Sequence, residues 1–369
     1  MRNRSISWRS ARGMALALIA LTALPLAGQA TKTVPRMPDG HPDLQGTYDL
    51  ATITPFERLP GDPPFLTKEK AEALEKAEAA RRAKADQPSR ADRPAPPVGG
   101  DTSAPKSFFE ALEKAGGCAV GGYNRFWLNQ GTVYTVVDGQ IRTSIVVDPP
   151  DGHVPPYNAA ARKRLAAARA TPTSDARENQ DTGATEPSGA FDNPEQRPLG
   201  ERCLLGFGST SGPPALPDYF YNDLHQIVQT PNSIMILTEM VHDARIVRMN
   251  ATHLSKNIRR WMGDSVGHWE GDTLVVDTTN FNDKTRFRGS TENLHVIERF
   301  TRIDDKTLLY RFTVEDPETW DRPWTGEYTW PLTNKPIYEY ACHEGNYALA
   351  DVLRGALRQE ADEAASAKK

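Results

Sequence analysis

The sequence predicts a mainly β protein: an antiparallel barrel or sandwich, lipocalin-like in broad architecture, with a few peripheral helices. Three observations carry this. From Tyr123 onward the chain breaks into short runs rich in β-branched and aromatic residues, the pattern of closely spaced strands. Turn residues separate the runs at Asp138-Gly139, Pro231-Asn232, Glu270-Gly271-Asp272 and Asp304-Asp305-Lys306, and Asp-Gly suits the primed turns that match strand twist. No internal period appears, which argues against a propeller or solenoid. Closing such strands into a barrel would also remove exposed sheet edges.

The elements follow in order. Residues 1–30 read as a secretory signal peptide. Arg2, Arg4, Arg9 and Arg12 form a positive start, Met14 to Ala27 is apolar, and Gly28-Gln29-Ala30 offers small residues for cleavage. The apolar run is shorter than the roughly 20 residues a spanning helix needs, so export is expected, to the periplasm or outside the cell, with no transmembrane segment in the mature chain. Residues 31–104 form a Pro-rich arm, a helix over Leu66–Ala85 that Thr67 can cap, and a Pro/Gly-rich linker. Residues 105–350 form a single antiparallel β domain. It opens with a short helix over Ser107–Ala115, then strands at Tyr123–Leu128, Val133–Val137 and Ile141–Val147. Asn158 caps a second helix reaching Ala170, and a polar loop covers about 171–200. A second strand series follows: His225–Thr230, Ser233–Met240, Arg245–Met249, Val266–Glu270, Thr273–Thr279, His295–Arg302, Thr307–Glu315, Trp324–Trp330 and Ile337–Cys342. Residues 351–369 are a charged tail, helical or disordered.

Removing residues 1–30 takes four Arg and no acid, so the formal net charge falls from −4 to −8. An acidic chain of this kind excludes nucleic-acid binding, which needs Lys and Arg to neutralise phosphates. Three cysteines, Cys118, Cys203 and Cys342, allow one disulfide in an oxidising compartment. Cys203–Cys342 is the preferred pair. The alternative, Cys118–Cys203, would leave Cys342 free beside His343.

Strand parity organises the candidate chemistry, because alternate residues share a face. Leu308, Tyr310, Phe312 and Val314 form one apolar face. His295, Ile297, Arg299 and Thr301 share another, and Glu339, Ala341 and His343 a third. The expected acid–base residues are His343, Glu344, His295 and Asp277, since imidazole and carboxylate can exchange protons near neutral pH. His225, Glu239, His242 and His268 fall at strand ends and could ligate a divalent metal such as zinc. No His-x-x-x-His or Cys-x-x-Cys spacing supports that set. Arg286, Arg288, Trp269, Tyr340 and Arg299 could grip a small organic ligand through charge and stacking. Ser265 in Gly263-Asp264-Ser265-Val266-Gly267 has nucleophile-elbow spacing, but a strand and hairpin follow where the elbow requires a helix.

Four motifs are long enough to compare: Pro42-Asp43-Leu44-Gln45-Gly46, Gly121-Gly122-Tyr123-Asn124, the run from Gly263 through His268-Trp269-Glu270-Gly271-Asp272 to Thr279, and Cys342-His343-Glu344-Gly345-Asn346-Tyr347. On them the chain resembles a large family of uncharacterised exported bacterial proteins. The resemblance implies a shared architecture and carries over no activity and no catalytic residue. The expected function is a barrel-like protein holding a small organic ligand in a cavity lined by His and acidic residues. The alternatives are a metal-assisted or acid–base hydrolase or lyase using that cavity, and a non-catalytic envelope scaffold.

Overall fold

A computed structural model describes residues 34–85, 131–170, 191, 193–197, 199–206, 212–217, 222–285 and 287–367. The predicted helix at Ser107–Ala115, the strand at Tyr123–Leu128, Cys118 and Arg286 lie outside these residues. In chain order the strands are β1 (Gly46–Asp49), β2 (Phe65–Leu66), β3 (Val136–Val137), β4 (Gln140–Arg142), β5 (Val146–Asp148), β6 (Leu224–Gln229), β7 (Ser233–Thr238), β8 (Ala244–Met249), β9 (Asp264–Glu270), β10 (Thr273–Thr279), β11 (His295–Arg302), β12 (Thr307–Glu315) and β13 (Trp324–Thr333). The helices are α1 (Lys68–Ala85), α2 (Ala159–Ala170) and α3 (Tyr347–Ser366). Thr67 and Asn158 cap α1 and α2 as predicted, accepting from the Lys70 and Ala161 amides at 3.3 and 2.8 Å. No helix among the described residues is long and apolar enough to cross a membrane.

Nine strands close into a barrel in the order β1-β6-β7-β8-β9-β10-β11-β12-β13, with β13 returning to β1 through Thr333↔Thr47 and Leu332↔Tyr48. The predicted barrel is therefore present, but not all of its neighbours are antiparallel. β8 and β9 run parallel, through Arg248↔Val266 and Met249↔Gly267. A parallel neighbour needs a crossover rather than a hairpin, and residues 250–263 supply it. Elsewhere hairpins set the register. At Asp138-Gly139 both residues take positive φ, 51° and 75°, as a type I′ turn demands.

The expected strand at Ile337–Cys342 is not formed; these residues are irregular. The outer edge of β13 is already taken, by β1 at its C-terminal end and by β5 near Thr325–Gly326. No ladder is left for another strand, so the face assigned to Glu339, Ala341 and His343 does not exist.

The lumen is filled. Leu308, Tyr310, Phe312 and Val314 point inward and are fully buried, as parity predicted. Trp330 sits among Tyr310 (4.5 Å between ring centres), Phe300 (5.6 Å), Tyr328 (6.0 Å) and Tyr48 (6.4 Å). Trp324 packs on Trp320, Phe56, Phe312 and Phe287 at 5.8–6.2 Å. Gly326 admits this packing: a Cβ there would lie 2.2 Å from the Phe312 ring. Interiors packed to this density have few voids, so the lumen is a core and not an open ligand chamber.

Candidate functional site

Two groups of ionisable side chains lie on opposite faces of the same strands. The inner group is a polar layer inside the barrel. β11 turns Val296, Glu298, Phe300 and Arg302 inward. The Arg245 guanidinium, from β8, holds both Glu298 oxygens; Nη2 donates to Oε1 at 2.8 Å and Nη1 to Oε2. The Tyr310 hydroxyl donates to Glu298 Oε1 at 2.8 Å. Ser265 and Thr278 share a hydrogen bond beside them (2.9 Å). Burial opposes the charge of Arg245, but the Glu298 carboxylate outweighs it and raises its pKa. His225 is also inside, with Nε2 3.2 Å from Thr238 Oγ1 and its ring beside Trp330. Burial, reinforced by the charge of Arg245, takes its pKa down to about 3, so the imidazole is neutral near pH 7.

The outer group is a chain of alternating carboxylates and imidazoles. β10 turns Asp277 outward, β11 His295, β12 Glu315 and β9 Asp264. His295 opposes Glu315 across the ladder, and Asp277 opposes Ile297, which puts Asp277 diagonal to His295 and within side-chain reach. The crossover between β8 and β9 lays His253 over this patch. Asp277 Oδ1 lies 2.9 Å from His253 Nε2 and 3.1 Å from His295 Nε2. His253 Nδ1 lies 3.2 Å from Asp264 Oδ2, and His295 Nδ1 lies 3.2 Å from Glu315 Oε2. Arg248 and the Leu254 amide anchor the Asp264 carboxylate, at 2.9–3.0 Å.

Every ring nitrogen in this chain faces a carboxylate oxygen. Both contacts of a ring are hydrogen bonds only when both of its nitrogens carry hydrogen. At His295 the flanking carboxylates favour the charged imidazole. The Asp277 carboxylate beside Nε2, with Glu315 behind, raises the His295 pKa against the effect of burial. Partial burial pushes Asp277 up, but His295 and then His253 outweigh it and hold the carboxyl below its ordinary range. Asp264 follows the same balance: burial raises it, and the Leu254 amide, His253 and Arg248 bring it down.

Of the four expected acid–base residues, Asp277 and His295 come together. His343 and Glu344 are exposed on the segment stapled by the Cys203–Cys342 disulfide, and no bond joins them to Asp277 or His295 among the described residues. That disulfide settles the pairing and overturns the alternative with Cys342 as a free thiol. The four expected metal ligands are dispersed. His225 is inside the barrel, and Glu239 is buried and accepts from the Tyr338 amide (2.8 Å). His242 is exposed in a left-handed turn, and His268 is exposed beside Glu270 (3.2 Å). Among the described residues no three His, Cys, Asp or Glu side chains are grouped to hold a metal ion.

The ligand-gripping set is also engaged elsewhere. Arg288 lies over Phe56 and reaches Glu57, Trp269 is stacked on His41 at 4.5 Å, Arg299 bonds Glu270, and Tyr340 is half-buried. The sequence reading missed His253 and Asp264 of the outer chain and Arg245 and Glu298 of the inner layer; it put Glu315 on the polar face of its strand without naming it as a site residue. Parity along β9 could have put Asp264 on the outer face; nothing local points to His253.

No family model matches the chain, and no curated protein and no solved structure matches it.

Proposed function

We propose that this protein is an exported barrel that binds a small polar organic ligand at its outer His–carboxylate array and exchanges protons with it. The observation that carries this is the Asp277 carboxylate between two imidazoles: its Oδ1 is hydrogen-bonded to His253 Nε2 at 2.9 Å and lies 3.1 Å from His295 Nε2 as an ion-pair contact. These three side chains remain 28–36% exposed, so a small molecule can reach them. The inner layer is sealed, and the ligand is therefore assigned to the outer face instead of the lumen. Imidazolium beside carboxylate, open to solvent, is equipped for general acid–base work, which keeps a hydrolase or lyase as the second reading. Export to the periplasm or the extracellular space rests on the Arg-rich, apolar N-terminal pattern and on the disulfide, which persists in oxidising compartments.

Asp277→Asn tests the site. It keeps the shape and removes the shared charge. With a ligand found by thermal shift over a panel of small polar metabolites, saturation at a hundredfold over Kd stabilises the wild type by about 2.7 kcal/mol. The variant should fold and lose that response. A full response in Asp277→Asn sinks the reading.

The array also sets a pH dependence. The pKa of His295 is raised in the fold from the ordinary 6.5. Its contribution to stability is therefore complete below pH about 6.5 and is lost as pH rises through the raised value. Asp277 is lowered, so its contribution is present above its ordinary range and is lost as pH falls through the lowered value. Denaturant midpoints measured across pH 4–9 should fall on the alkaline side in the wild type and stay flatter there in His295→Gln. Matching alkaline slopes would remove His295 from the account.

A further inference from the structure

The outer face of β11 and β12 carries a second charged feature, four residues along β11 from His295, or about 14 Å at the usual strand rise. Arg299 and Arg311 stand directly opposite each other on the two strands. Like charges in that position destabilise a ladder. Their neighbours two residues away on the same face, Ile297, Thr301, Leu309 and Thr313, are all neutral. No acid therefore separates the pair.

The acids lie on the far sides, and each is shared. Glu270 accepts from Arg299 Nη1 at 2.8 Å and also lies 3.2 Å from His268 Nε2. Glu327 accepts from Arg311 Nη1 at 2.9 Å and from Arg142 Nη2 at 2.7 Å. Three guanidiniums share two carboxylates, so positive charge is left over on this face of an otherwise acidic chain. Arg299 and Arg311 each spend one Nη1 on an acid. Among the described residues nothing accepts from their Nε or Nη2 atoms. The two side chains are 41% and 46% exposed, so a solute can reach them. Paired planar forks with donors to spare match an oxyanion, which guanidinium binds through parallel N–H···O bonds. An anion between them also removes the like-charge cost.

We propose that Arg299 and Arg311 form an anion site that takes the carboxylate or phosphate group of a small organic acid. The identity of the whole molecule rests on the outer His–carboxylate array being a ligand site; the anion site itself does not. Ile297, opposite both Asp277 and Thr313, gives such a ligand a neutral floor between the two.

The test titrates inorganic phosphate, and acetate in a second arm, at constant ionic strength, because screening alone alters exposed charges. The readout is the Nε–H signals of Arg299 and Arg311 by NMR. Saturable shifts of both signals are expected, and the tighter anion assigns the acid group. Arg311→Gln should weaken binding at least tenfold. Arg311→Lys keeps the charge without the fork and should fall between. Arg322→Gln removes an equally exposed guanidinium that pairs elsewhere, with Asp148, and should leave the affinity within twofold. Shifts no larger than chloride produces overturn the proposal. So does equal weakening in Arg322→Gln, which would mark an effect of net charge. Organic acids that stabilise the wild type should lose that response in Arg311→Gln. If phosphate or acetate binds but the stabilising compounds carry no acid group, the anion site stands and its link to the array falls.

Discussion

Glu298→Ala should lower the stability of the fold by about 3–5 kcal/mol, the usual cost of leaving a buried charge without its partner. Glu298 is fully buried, and Arg245 beside it is nearly so. With the carboxylate gone, the guanidinium keeps, among the described residues, only the long Ser265 contact at 3.4 Å, and the Tyr310 hydroxyl loses its acceptor. The measurement is the urea midpoint of the variant against the wild type at neutral pH. The double variant Arg245→Met with Glu298→Leu should recover most of the loss, because no charge is then left in the core. If single and double variants lose the same amount, packing rather than charge explains the effect. A companion signature is expected at Ala215, whose N–H donates to the Tyr310 hydroxyl at 2.9 Å: its amide exchange should quicken in Glu298→Ala, because Tyr310 is no longer held as its acceptor.

The barrel was legible because its signals are local. Asp138-Gly139 dictates a primed turn, and the strict alternation of Leu308, Tyr310, Phe312 and Val314 dictates an inward face. Both depend on neighbours one or two residues away. The site is legible only in part, for the opposite reason. On β11 both faces carry charge: His295 and Arg299 point outward, Glu298 and Arg302 inward. Alternation alone does not say which set is buried. The array is closed by His253, from a crossover with no periodicity, whose position follows from the parallel pairing of β8 with β9. Ile337–Cys342 has strand-forming composition, yet its pairing edge was already occupied by β1 and β5. Propensity loses to tertiary context there. Cysteine spacing alone left two pairings open, and only the path of the chain after β13 brings Cys342 to Cys203.

Trp330→Ala should cost about 3–5 kcal/mol, the range for truncating a large buried aromatic in a core that relaxes only in part. The five tryptophans of the second half could as well have served to stack on a sugar or aryl ring. For Trp320, Trp324 and Trp330 the packing answers that question, since all three are buried. Trp330 touches rings from four other strands: Tyr48 on β1, His225 on β6, Phe300 on β11 and Tyr310 on β12. Removing it leaves a void lined by aromatic side chains, and an apolar void of this kind binds small aromatic molecules. Indole at millimolar concentration should therefore raise the melting temperature of Trp330→Ala and leave the wild type unchanged. Trp269→Ala is the control. Its ring is only half-buried, packed at the margin of the core and stacked on His41, and an aromatic pair contributes only about 1 kcal/mol beyond its area. If the wild type itself responds to indole, the lumen holds open space and the outer array loses its claim to be the site a ligand must use. If Trp330→Ala loses no more than Trp269→Ala, the barrel interior is not the packed core on which the assignment of the ligand to the outer face depends.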